Sequence, residues 1–286
     1  MGYILTAILV LIRIFSVSAC NVFQKKLAQL NETPVRINYI NYVFLALFSL
    51  CLFLFIDKAN LSSEFIFYSV LGGIFGGLGN YFMVEALKYG ELSVLAPINS
   101  YKVIVALLFG IILLGEIPKL TGILGILLII LGSYFIFNSF NIFEILKRRE
   151  VRFRFLALVF TGIEAIFIKK VILLSSIELM FCANCTLGLV FSFLILKIKK
   201  EKAKIVIKKE YFPMYLLTAI SFGVMAFITA VVFKRLQVGY ALSLFQLSIL
   251  LNLFFGWKIF REKDIIRKLI GSLIIISGAI LIILKG

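Results

Sequence analysis

The sequence predicts an all-α polytopic membrane protein, with ten transmembrane helices arranged as two inverted-topology repeats of five. Three observations carry that reading. The 286 residues are 62% hydrophobic and only 15% charged, and the mean hydropathy is +1.11; a soluble domain of this length carries far more charge. Apolar runs of about 20 residues, the length that crosses about 30 Å of hydrocarbon, recur from end to end. The second half of the chain also answers the first at a nearly constant spacing.

The apolar runs place spans at 2–23, 36–56, 65–87, 92–114, 120–138, 153–173, 177–196, 212–233, 239–260 and 265–284. They are continuously apolar and lack period-2 alternation, so they read as helices and not as barrel strands. The connections are short. The longest, "KIKKEKAKIVIKKEYFP", joins the seventh and eighth spans and is basic and solvated, and no soluble domain fits anywhere. The first span lacks a basic n-region and a small-x-small cleavage site, so no cleavable signal peptide is expected and the cell membrane is the expected location.

The net charge of +16 suggests nucleic acid in a soluble protein. Here the basic residues cluster in short loops between spans, where they set orientation, and no nucleic-acid partner is expected. Counting charges near span ends with the adjoining loop, the loops after the odd-numbered spans hold 21 Lys and Arg, and those after the even-numbered spans, with the C-terminus, hold 7. The positive-inside rule makes the first set cytoplasmic and puts both termini outside. Cys182 and Cys185 form a C-x-x-C inside a span, without a second pair or any histidine, so no metal or cofactor is expected.

A shift of 146 places Gly77 on Gly223, Lys88 on Lys234, Gly110 on Gly256, Glu116 on Glu262, Gly125 on Gly271 and Gly132 on Gly278. A shift of 144 places Phe23, Lys25 and Lys26 on Phe167, Lys169 and Lys170. The halves are expected to divide at 1–140 and 141–286. Each holds five spans, an odd number, so the second crosses the membrane in the opposite sense. Such a pair puts a substrate site near the midplane between the halves. Gly72 with Gly76, Gly73 with Gly77, and the pairs Gly125/Gly132 and Gly271/Gly278 sit at spacings that let helices approach closely.

The run 85–132 resembles the second part of an EamA-type repeat of the drug/metabolite transporter superfamily. The resemblance rests on Ala86-Leu87 with Tyr89, Ser93, Pro97, Leu114-Gly115-Glu116, and Gly125 with Gly132. The second half is degenerate: Gly239 and Ser243 stand where Ser93 and Pro97 would be, and Arg261-Glu262 replaces Gly-Glu. The resemblance implies membrane transport of a small solute, among which amino acids, other metabolites, nucleotide derivatives and drugs are all represented. It also implies both termini in the cytoplasm, against the charge count.

Charged side chains within the spans single out a site. A charge at mid-membrane costs roughly 2.5–3.5 kcal/mol on insertion scales, so Arg13, Lys102, Glu85 and Glu164 need a compensating environment. Asn99 and Lys102 share a face of the fourth span, and Ser248 and Asn252 occupy the matching face of the ninth, with Phe245 opposite Asn99. Arg13, Cys20 and Gln24 share a face of the first span, and Glu164 matches Cys20 in the sixth. Asn80, Tyr101 and Gln246 are further candidates for hydrogen bonds to a solute. Tyr81 and Glu85 share a face of the third span.

Two readings stay open at this point. Lys102–Glu164 or Arg13–Glu85 could be ion pairs that only hold the bundle together, or Lys102 and Glu164 line a solute pathway. No P-loop is present, and with no histidine any proton coupling falls to a carboxylate, Glu164 first and Glu85 second. The expected function is a secondary transporter, exporting a small polar or amphipathic, amino-acid-like metabolite. A lipid or lipid-linked-substrate flippase is the alternative; a membrane enzyme and a non-transporting scaffold are weaker ones. The lipid bilayer and a small solute are the expected partners, and monomer and homodimer stay open.

Overall fold

The computed structural model describes residues 2–53, 56, 62–102, 120–139, 141–201, 207–236 and 238–285. Its described residues form helices throughout: α1 (Gly2–Gln29), α2 (Pro34–Phe53), α3 (Ser63–Tyr89), α4 (Leu92–Leu95), a 3-10 turn (Pro97–Ser100), α5 (Leu120–Phe137) and α6 (Ile142–Lys147). The second half contributes α7 (Arg149–Leu174), α8 (Ile177–Ile198), α9 (Phe212–Arg235), α10 (Val238–Phe245), α11 (Ser248–Phe260) and α12 (Ile265–Lys285).

Seven helical stretches are long and apolar enough to cross a membrane: Ile4–Gln29, Pro34–Phe53, Ser63–Tyr89, Leu120–Phe137, Ile177–Ile198, Phe212–Arg235 and Tyr240–Phe260. Helices α7 and α12 occupy the places expected for the sixth and tenth spans. Two expectations change. The fourth span, expected over 92–114, opens as one turn of α-helix and a 3-10 turn begun by Pro97, and from residue 103 it lies outside the described residues. Proline has no N–H to donate and so ends the regular ladder here. The ninth span is broken into α10 and α11 at Gln246–Leu247. The expected count of ten is therefore not reached among the described residues.

The starts of helices are legible in local chemistry. Ser62 and Ser176 each accept a hydrogen bond from a backbone N–H three residues on, Phe65 and Leu179, at 3.1 Å, as N-cap serines do.

The halves pack as a pseudo-two-fold pair. Helix α1 packs on α9 and its counterpart α7 packs on α3; α2 packs on its counterpart α8, and α5 on its counterpart α12. The glycines give the symmetry atom by atom. A Cβ at Gly132 would lie 2.6 Å from the carbonyl oxygen of Gly271, and a Cβ at Gly278 would lie 2.6 Å from that of Gly125. Shifting either contact by one repeat generates the other, as a two-fold axis between antiparallel equivalents requires. The equivalent helices α5 and α12 thus pack antiparallel about that axis.

The glycines of α3 serve two neighbours. Gly72, Gly76 and Gly79 face Phe167, Glu164 and Thr161 of α7, whereas Gly73 and Gly77 face Leu187 and Phe191 of α8. Small residues on both stripes let α3 wedge closely between two helices of the other repeat. The largest buried cluster, including Tyr42, Phe181, Phe233 and Phe245, joins residues of α1, α2, α3, α7, α8, α9 and α10.

Candidate functional site: a charged cavity between the repeats

A cavity of about 180 Å³ lies between the two halves. Its wall takes Arg13, Cys20, Asn21 and Gln24 from α1, Gly76 and Asn80 from α3, Arg154, Thr161 and Glu164 from α7, and Asn184 from α8. Thr229 of α9, Phe245 of α10, Ser248 and Asn252 of α11, and Asn99 and Lys102 complete its polar and aromatic lining. Each repeat therefore contributes.

The charged groups are arranged without mutual ion pairs. The Arg13 guanidinium lies over the Phe245 ring, 3.9 Å from its centroid, and its Nε donates to Thr229 Oγ1 at 3.4 Å. Arg154 Nε donates to the Leu95 carbonyl at 3.0 Å and its Nη2 to Asn99 Oδ1 at 3.1 Å. Glu164 Oε1 accepts from Asn184 Nδ2 at 3.4 Å. Gly76 makes room for that carboxylate, which occupies the space a Cβ would fill. Among the described residues Lys102 has no hydrogen-bond or ion-pair partner, and no cation lies within 4.0 Å of Glu164.

Amide side chains fix the rest of the wall. Gln24 donates to Asn80 at 3.0 Å, and Asn80 donates to Asn38 of α2 at 2.6 Å. On the other side Asn21 donates to Asn252 Oδ1 at 3.1 Å, while Asn252 donates to the Ser248 carbonyl at 2.7 Å. Buried polar groups without partners cost about 1–3 kcal/mol each, so such chains hold their members in one arrangement.

Of the residues singled out in the sequence, Arg13, Asn80, Asn99, Lys102, Glu164, Ser248 and Asn252 line this cavity. Tyr101, Gln246 and Glu85 do not. The Tyr101 hydroxyl bonds to Ser133 of α5, on the far side of its turn. Gln246 Oε1 accepts from Ser100 Oγ at 3.1 Å and tethers the break in the ninth span to the 3-10 turn. Glu85 accepts from Tyr81 at 2.7 Å, so the pair expected from their shared face is formed and the Arg13–Glu85 ion pair is not. The Lys102–Glu164 ion pair is not formed either.

Sequence reasoning missed Arg154, which was counted with the basic loop after the fifth span. It sits one turn inside α7 and is buried. The signal was the helical spacing of Arg154, Thr161 and Glu164, which keeps all three on one side of the helix. Asn184 and Thr229 were missed because a lone amide or hydroxyl in an apolar run has no distinctive pattern.

Beyond the cavity, on the side of the basic loops, the halves are tied by buried charges. Lys25 Nζ lies 2.7 Å from Glu262 Oε1 and also donates to the Gly90 carbonyl at 3.0 Å. Glu262 further accepts the backbone N–H groups of Leu92 and Ser93 at 2.7 and 2.9 Å. Burial alone would raise the Glu262 carboxyl, but the Lys25 ammonium and the hydrogen bonds from Lys25 and Ser93 hold it below the usual carboxylate range. The left-handed Arg261 ends α11 and turns the chain back, so the Glu262 N–H reaches the Gly256 carbonyl at 3.1 Å. Next to it Lys268 of α12 pairs with Glu91 and donates to Ser93 Oγ. The repeat-related Lys169 likewise donates to a carbonyl at the end of the eighth span, that of Phe233; Glu116, the counterpart of Glu262, lies outside the described residues.

Comparison with known proteins agrees with this geometry. No curated protein matches the chain. One solved structure, titled only "Crystal structure of protein", shares the fold with a TM-score of 0.63 over 96% of both chains at 14% identity. The description "EamA-like transporter family" matches twice, over residues 4–138 and again over 150–284. The two matches cover the two halves that the glycine contacts relate by symmetry, and the chain belongs to the EamA-like transporter family, as a multi-pass membrane protein of the drug/metabolite transporter type.

Proposed function

We propose that the protein is a secondary transporter that moves a small polar or amphipathic metabolite across the cell membrane by alternating access at the cavity between its repeats. The observation that carries this reading is the set Arg13, Lys102 and Glu164: three intramembrane charges that face one cavity and form no ion pair with one another. Charges held only to bind the bundle together would be paired; charges facing a wet cavity mark a solute or ion route.

In the mechanism this geometry suggests, Lys102 and the guanidinium of Arg13, backed by the Phe245 ring, draw polar groups of the solute to the wall. The Lys25–Glu262 and Lys268–Glu91 pairs close the cavity toward the basic loops, which the charge count assigns to the cytoplasm. Parting them as the halves rock would open that side. Glu164 is the carboxylate placed to exchange a proton or meet an ammonium.

The test is solute flux in proteoliposomes against a panel of amino acids, nucleosides, sugars and amphipathic amines. Flux carried by the protein and abolished by Lys102→Ala, with the variant's melting profile intact, is the expected result. Undiminished flux from the variant would remove the cavity from the transport route.

A further inference from the structure

We infer that the solute carries an anionic group, a carboxylate or a phosphate, which sits among Arg13, Lys102 and Arg154. This rests on the transporter reading above and deepens it. Among the described residues the cavity holds three cations, Arg13, Lys102 and Arg154, against one carboxylate, Glu164. Residues 103–115 of the fourth span contain no ionisable group.

Hydrogen bonding leaves the positive groups available. Arg13 uses Nε on Thr229, and both its terminal nitrogens are without a partner among the described residues. Arg154 spends Nε and one hydrogen-bond direction of Nη2 on Leu95 and Asn99. Lys102 has no partner there. A guanidinium offers five donors in a planar fork suited to carboxylate and phosphate, and an ammonium offers three. In an environment of low dielectric such an excess of positive charge is costly while the site is empty of anions, and an anion relieves it. A cationic solute meets only Glu164 and is repelled by the rest; a zwitterion is tolerated to the extent that its ammonium reaches Glu164.

The experiment measures ligand-induced thermal shifts of the full chain purified in detergent. The probes are benzoate, benzamide and benzylamine, of nearly one shape and three charges, beside glycerol 3-phosphate and glycerol. The expected result is stabilisation by benzoate, by glycerol 3-phosphate or by both, and none by benzamide, benzylamine or glycerol; which anion works separates carboxylate from phosphate. The apparent Kd for the active anion should rise about tenfold or more in Lys102→Gln, stay within about threefold in Lys102→Arg, and fall severalfold in Glu164→Gln, which removes the opposing charge. The Glu164→Gln gain is a readout that misfolding does not mimic. Equal stabilisation by benzamide or benzylamine, no stabilisation by either anion, or weaker anion binding in Glu164→Gln would overturn the assignment. Counterflow of the same probes in proteoliposomes separates the two claims. An anion that binds without moving rejects transport and keeps the anion site; benzylamine that moves when neither anion does keeps transport and rejects the anion site.

Discussion

Lys25 and Glu262 stand 237 residues apart in the chain and form a buried ion pair of 2.7 Å that joins the end of the first helix to the turn before the last. The carboxylate is held on its other side by the backbone of Leu92 and Ser93, so one residue of the second repeat ties two segments of the first. Removing one partner leaves the other charge buried. Lys25→Met and Glu262→Gln should each destabilise the protein in detergent by about 3 kcal/mol, and the double variant should cost less than the two together. Thermal denaturation of the four proteins checks this.

The same carboxylate sets a pH dependence. Because the folded protein holds Glu262 below its ordinary pKa, it contributes stability that is fully present above about pH 4.3, where the unfolded chain is also ionised. That contribution falls as the pH drops through the lower, folded pKa. The wild type should lose stability more steeply than Glu262→Gln below about pH 4.3, and the two curves should converge in acid.

Gly76 and Glu164 are coupled through space. A methyl group at 76 would enter the volume of the Glu164 carboxylate, the mobile end of its side chain beside the cavity, so Gly76→Ala should displace that carboxylate at a net cost under about 1 kcal/mol. Glu164→Ala should relieve most of that cost and the isosteric Glu164→Gln should not. A double-mutant cycle on melting free energies measures the difference.

The repeat axis makes its own prediction. Gly132→Val and Gly271→Val each push a side chain into the partner helix's backbone and should destabilise the protein strongly, by more than about 2 kcal/mol. Gly162→Ala is the contrast, since a Cβ there meets nothing within 4 Å. In mid-helix that change should stabilise by about 0.5–1 kcal/mol.

Tyr101 separates the cavity from its surroundings. Its hydroxyl points to Ser133, so Tyr101→Phe should cost about 1 kcal/mol of stability and leave solute binding as it was. A thermal-shift titration beside Lys102→Gln reads both quantities.

Much of the architecture was legible because lipid demands long apolar helices and duplication repeats their landmarks. Gly125, Gly132, Gly271 and Gly278 were readable as packing positions, and the structure shows the contacts their spacing implied. The cavity wall was half legible. Arg13, Lys102 and Glu164 stood out because charge is costly in a span, but Arg154 was masked by the loop arginines beside it, and hydropathy cannot tell a loop charge from one a turn deeper. Tyr101 shows the complementary limit: adjacency to Lys102 places it on the same turn but not on the same side. Glu262 was visible only as a repeat partner of Glu116, because a contact with Lys25 across 237 residues leaves no local pattern.

The most direct test of alternating access is labelling of one cavity residue from each side of the membrane. Asn184→Cys would be made with Cys20, Cys51, Cys182 and Cys185 replaced by serine, in sealed vesicles of known orientation, and treated with an impermeant maleimide. Glu262→Gln would be added in a second protein to weaken the closure on the basic-loop side. The account predicts reaction from both sides, with Glu262→Gln increasing the rate from the basic-loop side. Reaction from a single side that Glu262→Gln leaves unchanged would contradict it.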